Sequence, residues 1–350
     1  MKVEIMACTR QRYGEFLDLL DLSFGNGANW FTNCMEHVLP VPEKASDREI
    51  ALNKIAVADG QVAGALGVYP IDWAVGDGKS KKILKVGGVG QVCCRPDYRN
   101  KGIMSMLIKS AISDMSREGY DLSWLHGDRM RYRNYGWELS GGKLIACFKE
   151  NRLEAPPQSL LTRKAHLDDW NLVNSLYETL PSFVIRGEIM WRRHLQRSSA
   201  SVEIGFLAGK AAYMAYYKRE PRIVREIAGD PNCAMAMIIR HAKAHGQIEA
   251  WLPVDQNDLN KKLFAAASDY RLAPLCNLKV ISPEKLYEKL LPFLKNQAGE
   301  AGAAAFPSPN AQQKERICAA LLGFQFNPEI PEGFEYLKPL VFWLPELDEV

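Results

Sequence analysis

Apolar positions in the first 125 residues switch between a helical and an alternating spacing. Between Tyr13 and Leu22, the residues Phe16, Leu17, Leu19 and Leu20 recur at helical intervals and predict a helix. Residues 54–59 and 61–69 read as two strands joined by Asp59-Gly60, a strong hairpin signal. Residues 86–94 predict another strand, 102–117 a helix carrying Ile103, Met106, Leu107 and Ile108, and 120–125 a further strand. Pro156-Pro157 marks a linker, and beyond it the same grammar recurs in weaker form. Helices are expected over 167–180, 187–197 and 232–245, and strands over 202–207 and 211–218. A strand over 277–281 and a helix from Pro283 to Leu294 open a third segment. There, the small-residue and proline-rich stretch 298–309 predicts a loop, and 310–322 a short helix. The tail from Phe324 is dense in Pro, Phe and Trp and is expected to pack against another domain.

Composition narrows this picture without redirecting it. A chain of 350 residues with 47% hydrophobic and 24% charged positions is globular and long enough for two or three domains. The formal net charge of +3, from 44 basic and 41 acidic residues, argues against a dedicated nucleic-acid binder. No secretory signal is visible at Met1-Lys2-Val3-Glu4, and no apolar run approaches the roughly eighteen residues that span a bilayer. None of the eight cysteines forms a C-x-x-C pair, and reduced thiols in a cytoplasmic protein are the expectation. His241 and His245 stand one helical turn apart, a metal-ligand spacing, but with no Glu motif or third ligand a solvated helix face is expected and no metal.

The informative stretch runs from Val92 through Cys93, Cys94, Arg95, Pro96, Asp97, Tyr98, Arg99, Asn100, Lys101, Gly102, Ile103 and Met104 to Ser105. A predicted strand ends at Cys94 and a predicted helix begins within Gly102–Ser105, with a basic turn between them. A helix N-terminus exposes unpaired N–H groups and favours anions, and Gly102 lets a ligand approach the backbone. A pyrophosphate suits such a turn, although charge and one glycine fit a solvated turn equally well. Pro96 cannot donate to a ladder, so pairing is expected to stop or splay near Cys94 and free the backbone at 92–94 for an extended, amide-bearing ligand.

A second motif, Tyr132-Arg133-Asn134-Tyr135-Gly136-Trp137, follows the strand at 120–125. Together, the two stretches resemble the GNAT (GCN5-related N-acetyltransferase) superfamily, whose signature is an Arg/Gln-x-x-Gly-x-Gly/Ala turn after a splayed strand and then a Tyr-x-x-x-Gly-Phe segment. Met104 stands in place of the usual small residue, and Trp137 in place of Phe. Over most of its length, the chain is similar to the enhanced-intracellular-survival type of acetyltransferase. That likeness also draws on His126-Gly127-Asp128 and on the stretch from Asn277 to Leu286.

The resemblance implies an α/β (α+β) fold, with a mixed central sheet and flanking helices in tandem. The acetyl-CoA domain would be 1–150, a degenerate copy 151–278, and a short sterol-carrier-like segment 279–350. The copy has Asp230-Pro231-Asn232 where the Arg-x-x-Gly turn belongs, so it is expected to bind no cofactor. In the first domain, the resemblance assigns the cofactor to Val92–Cys94, to Asn100, Lys101, Gly102, Ile103, Met104 and Ser105, and to Gly127 and Asp128, with Arg99 structural or peripheral. It makes Tyr132 the proton donor, a role that a phenol of pKa about 10 can fill at neutral pH. The base is either the terminal carboxylate of Val350, as in the family, or His126, whose type titrates near neutrality, or water. The acceptor is a small-molecule amine or a protein lysine, and a homo-oligomer is implied. A non-catalytic acyl-CoA sensor and a longer acyl chain, shaped by Met104 and the aromatic tail, are the competing readings.

Overall fold

The computed structural model describes residues 2–25, 27–76, 80–255, 257–304, 309–323 and 338–340. The chain opens with β1 (Val3–Ala7), α1 (Arg10–Phe24), α2 (Trp30–Cys34), α3 (Asp47–Ala51), β2 (Asn53–Ala58), β3 (Gln61–Gly76) and β4 (Lys81–Cys94). There follow α4 (Ile103–Arg117), β5 (Leu122–Leu125), α5 (Arg129–Tyr132), β6 (Glu138–Ser140), β7 (Lys143–Phe148) and β8 (Leu161–Lys164). The middle of the chain holds α6 (Trp170–Tyr177), β9 (Phe183–Val184), α7 (Glu188–Gln196), β10 (Ala200–Leu207), β11 (Lys210–Tyr217) and β12 (Ile223–Gly229). Then come α8 (Pro231–His245), β13 (Ile248–Pro253), α9 (Asp258–Ala266), β14 (Asp269–Ala273), β15 (Cys276–Val280), α10 (Pro283–Ala304) and α11 (Ala311–Leu321). None of these helices is long and apolar enough to cross a membrane.

The strands form two mixed sheets. The first runs β1-β2-β3-β4-β5-β15-β6, with β9 added beside β3, and the second runs β8-β10-β11-β12-β13-β7-β14. Each holds one parallel pair, β4–β5 or β12–β13, and is otherwise antiparallel. The two sheets therefore repeat one pairing pattern. Each also takes its sixth strand from the other part of the chain: β15 lies between β5 and β6, while β7 lies between β13 and β14. Sheet membership thus cuts across the sequence ranges 1–150, 151–278 and 279–350. β7 and β15 are buried on both faces, and such strands pair wherever those faces are covered, whatever their place in the chain.

Local chemistry accounts for the elements around the site. Asp59 and Gly60, at φ 51° and 82°, make the two-residue turn between β2 and β3 that matches strand twist. On α4, Ile103, Leu107, Ile108, Ala111 and Met115 form the buried stripe. The helix sits so close to β3 that a Cβ on Gly64 would come within 2.7 Å of Ile103 Cγ2.

The two sheets share a core. Trp73 and Trp124 of the first sheet, Tyr177 and Trp191 of α6 and α7, Tyr213 of β11 and Phe293 of α10 belong to one buried cluster. Within it, the fully buried Arg186 and Glu226 form a two-point pair at 2.9 and 2.8 Å, and Tyr213 Oη donates to Glu226 at 2.6 Å. The third segment differs from its sequence reading: α10 continues to Ala304, broken only at Gly299, where a loop was expected over 298–309. Leu286, Tyr287, Leu290, Phe293 and Leu294 of α10 and Ile317, Cys318 and Leu321 of α11 complete the same cluster. The aromatic tail residues Phe324, Phe326, Phe334, Tyr336, Phe342 and Trp343, together with Val350, lie outside the described residues.

Candidate acyl-transfer site

The site begins where two parallel strands part. β4 and β5 pair only at Val86–Leu122, Gly87–Ser123 and Gly88–Trp124. Beyond Gly88, β4 keeps its partner on the other side, up to Gly64–Cys94. Gly67 faces Gly90 and Ala65 faces Cys93, so Gln91 and Val92 together oppose Leu66 alone. That extra residue is a bulge, and Gln91 holds φ at 52°. A bulge bends its strand and sharpens the twist, which carries β4 away from β5. Pairing with β3 stops at Gly64–Cys94, as expected ahead of Pro96, with Arg95 N–H donating to Ala63 O at 2.9 Å, but the splay from β5 begins earlier, beyond Gly88, and Pro96 is not its cause.

After β4 the chain makes a 3-10 turn at Pro96–Tyr98 and enters α4 through Asn100 and Gly102, with φ of 61° and 78°. Tyr98 anchors this turn, accepting from Gln61 Nε2 at 2.9 Å and donating to Asp59 at 3.1 Å. Gly102 is the N-cap of α4 and no side chain caps the helix. The first helical bond is Met106 N–H to Gly102 O, at 3.1 Å. None of the N–H groups of Asn100 through Ser105 has an acceptor among the described residues. Several converging donors without acceptors form an anion-binding concavity, strengthened by the helix dipole. Arg99 is exposed beside it, and the Lys101 ammonium rests 4.6 Å from the Tyr98 ring centre. Ile103 is buried at the side chain and offers the turn only its backbone, while Met104 packs against the core.

The segment after β5 closes on the same place. Asp128 caps α5, its carboxylate accepting from Met130 N–H at 2.9 Å. Tyr132 follows, 7% exposed, with its ring against Gly127, where a Cβ would come within 2.5 Å of Tyr132 Cε2. Glycine at 127 is therefore what lets the tyrosine occupy this position. The Trp137 ring meets Tyr132 edge-on at 6.4 Å. Arg129 pairs with Glu138 and ties α5 to β6. Ser105 Oγ and Tyr135 Oη lie 2.6 Å apart, so the two sequence motifs touch. Burial pushes the Tyr132 phenol above its ordinary range, against the pull of the adjacent Arg131. His126, exposed at the strand end, holds Nε2 3.0 Å from the Leu275 carbonyl oxygen of the segment leading into β15.

A cavity of about 690 Å³ opens beside Tyr132. Val89–Val92 of β4, His126–Asp128, Arg131 and Tyr132 form one wall, and Phe24, Trp30, Phe31, Cys34 and Met35 of the α1–α2 region another. The third wall comes from the margin of the second sheet: Arg197, Ser199, Tyr217, Lys218 and Arg219. Of the residues marked in the sequence, Val92, His126, Gly127, Asp128 and Tyr132 line the cavity, whereas Cys93, Cys94 and Arg99–Ser105 do not. Cys93 is buried, and desolvation pushes its thiol up to about 12, which opposes any thiolate nucleophile at that position. Gln91 and the cationic third wall carry no mark in the linear sequence. In the cavity wall, Gln91 Oε1 is buried and has no partner among the described residues. Among the described residues, no group of three or more His, Cys, Asp or Glu side chains could hold a metal ion.

Known proteins place this geometry. Residues 4–140 match the family model of the acetyltransferase (GNAT) domain. A GCN5-related N-acetyltransferase from Anabaena variabilis aligns over 82% of this chain and 75% of its own, with TM-score 0.65 and 13% identity. A probable N-acyltransferase from Enterococcus faecalis aligns over 83% and 75%, with TM-score 0.64 and 16% identity. Eis1 from Mycobacterium abscessus aligns over 82% and 76%, with TM-score 0.57 and 12% identity. At such identities the likeness is one of fold. No curated protein matches the chain.

Proposed function

We propose that the chain is an N-acetyltransferase that passes the acetyl group of acetyl-CoA to a primary amine by direct attack in a ternary complex. The observation that carries this reading is one juxtaposition. A row of N–H groups with no acceptor among the described residues, from Asn100 to Ser105, follows a strand that splays from its neighbour, and a buried tyrosine stands after that neighbour. The GNAT match over residues 4–140 supports the same chemistry.

In this reading the Asn100–Ser105 N–H groups hold the pyrophosphate, with Arg99 and Lys101 contributing field. The open edge of β4 past Gly88, through Val92, Cys93 and Cys94, meets the pantetheine amides, and Gly127 and Asp128 flank them. Acetyl-CoA supplies an activated acyl carbon on a thiol leaving group. Tyr132 donates the proton that the departing thiolate needs, and its raised pKa keeps that proton in place at neutral pH. The base that frees the amine is His126 or, as the family resemblance implies, the terminal carboxylate of Val350, or water.

The test is thermal stability with saturating acetyl-CoA, followed by thiol release on adding a primary amine. Ligand at a hundred times its dissociation constant should add about 2.7 kcal/mol, a shift of a few degrees. A shift with amine-dependent thiol release supports the reading. A shift without release makes the protein an acyl-CoA binder, and no shift removes the cofactor assignment.

A further inference from the structure

The cavity beside Tyr132 is cationic where an acceptor would lie, and its charges are contributed by the second sheet. Among the described residues, Arg131, Arg197, Lys218 and Arg219 line it, and the one carboxylate that does is Asp128, which accepts from Met130 N–H. The Asn100–Ser105 turn, which suits the cofactor phosphates, is not part of this wall. A wall of this charge attracts an anion.

The local structure shows why these cations converge. β11 ends at Tyr217, and Lys218 N–H donates to Ser199 O at 2.9 Å, turning the chain toward the cleft. Arg197 is anchored by Nε to the Cys34 carbonyl at 3.0 Å. The carboxylate next in sequence to Arg219, Glu220, is taken by Arg225 at 2.5 Å. Arg219 is exposed, stacked loosely 5.8 Å from the Tyr217 ring centre, and no carboxylate lies within ion-pair distance of it among the described residues. The remaining wall is aromatic, from Phe24, Trp30 and Phe31. Gln91 Oε1, buried and with no partner among the described residues, offers an acceptor for the N–H of an incoming amine.

From this we infer that the acceptor is a small amine with an apolar or aromatic body and an anionic group, a carboxylate or a phosphate. The anion faces Arg219 and Lys218 while the amine nitrogen turns toward Gln91 and Tyr132. A polycation is repelled by the same wall. The inference rests on the acetyl-transfer reading and deepens it.

The experiment compares kcat/KM for matched acceptors with acetyl-CoA fixed at saturation. These are benzylamine, para-(aminomethyl)benzoate, para-(aminomethyl)benzylphosphonate and para-xylylenediamine. Charge-assisted contacts predict that an anionic member exceeds benzylamine by about tenfold or more, with the diamine lowest. The carboxylate and phosphonate arms identify which anion is preferred. Arg219→Glu should erase the preference or reverse it toward the diamine, while the acetyl-CoA-induced thermal shift is retained. Transfer that is indifferent to the added charge, or fastest with the diamine, overturns the inference and leaves acetyl transfer standing. Failure to transfer to any of these amines, with no thermal shift from acetyl-CoA, sinks the proposed function and takes this inference with it.

Discussion

The two sheets share a pairing pattern, yet their equivalent strand–turn–helix units end in opposite ways. In the first, β4 passes through Asn100 and Gly102, both at positive φ, into a helix with no side-chain cap. In the second, β12 passes directly into α8 through Asp230, whose carboxylate accepts from Asn232 N–H and Cys233 N–H, each at 3.0 Å. Pro231 at the first helical position has no N–H at all. The donors left open on α4 are consumed or missing on α8. Whether such a unit can hold a phosphate is decided by what satisfies the helix N-terminus, not by the sheet beneath it.

The largest expected effect tests the chemistry that only the first unit possesses. Tyr132→Phe should lower kcat by roughly 10²–10⁴ in an amine-dependent thiol-release assay, with the acetyl-CoA thermal shift preserved. An unchanged kcat would remove Tyr132 as proton donor. Because a deprotonated tyrosine cannot donate, any loss of rate from its ionisation belongs on the alkaline side. Its raised pKa places that limb above its usual value near 10.

Next in size is the transplant of the second unit's device into the first. Gly102→Asp puts a carboxylate at the N-terminus of α4, in space where a Cβ meets nothing within 4 Å but at a φ of 78° that strains any side chain. The variant should forfeit the roughly 2.7 kcal/mol that saturating acetyl-CoA adds to wild type, as read by thermal shift. A full shift in the variant would mean that the α4 N-terminus is not the phosphate site. The smallest effect is the reciprocal change. Asp230→Ala should cost about 1 kcal/mol in urea denaturation through the lost cap, and leave the acetyl-CoA shift intact. A variant with a diminished shift would tie the second unit to cofactor binding and dissolve the contrast.

Much of the first unit was legible in the linear chain. The helix expected over 102–117 occupies Ile103–Arg117, and the strand expected over 86–94 is the second half of β4. These are local matters: apolar periodicity, a hairpin dipeptide and a glycine before a helix speak for themselves over a few residues. The cause of the splay was not legible. Pro96 carried that expectation, whereas the bend comes from the bulge at Gln91, set by a register mismatch with β3 that exists only once the strands pair. The strands Lys143–Phe148 and Ile248–Pro253 also escaped the sequence reading.

By itself, then, the sequence determined the turn from Arg99 to Ser105, the tyrosine segment after β5 and the contrast with Asp230, because capping and backbone conformation are settled among near neighbours. Only the tertiary structure decided the rest. It seated β15 beside β5 and β7 beside β13, and brought Lys218 and Arg219 to a cavity whose other walls come from Phe24–Met35 and Val89–Tyr132, far earlier in the chain. Strand partners and cavity walls are chosen by which buried faces fit together, and that complementarity has no signature along the chain.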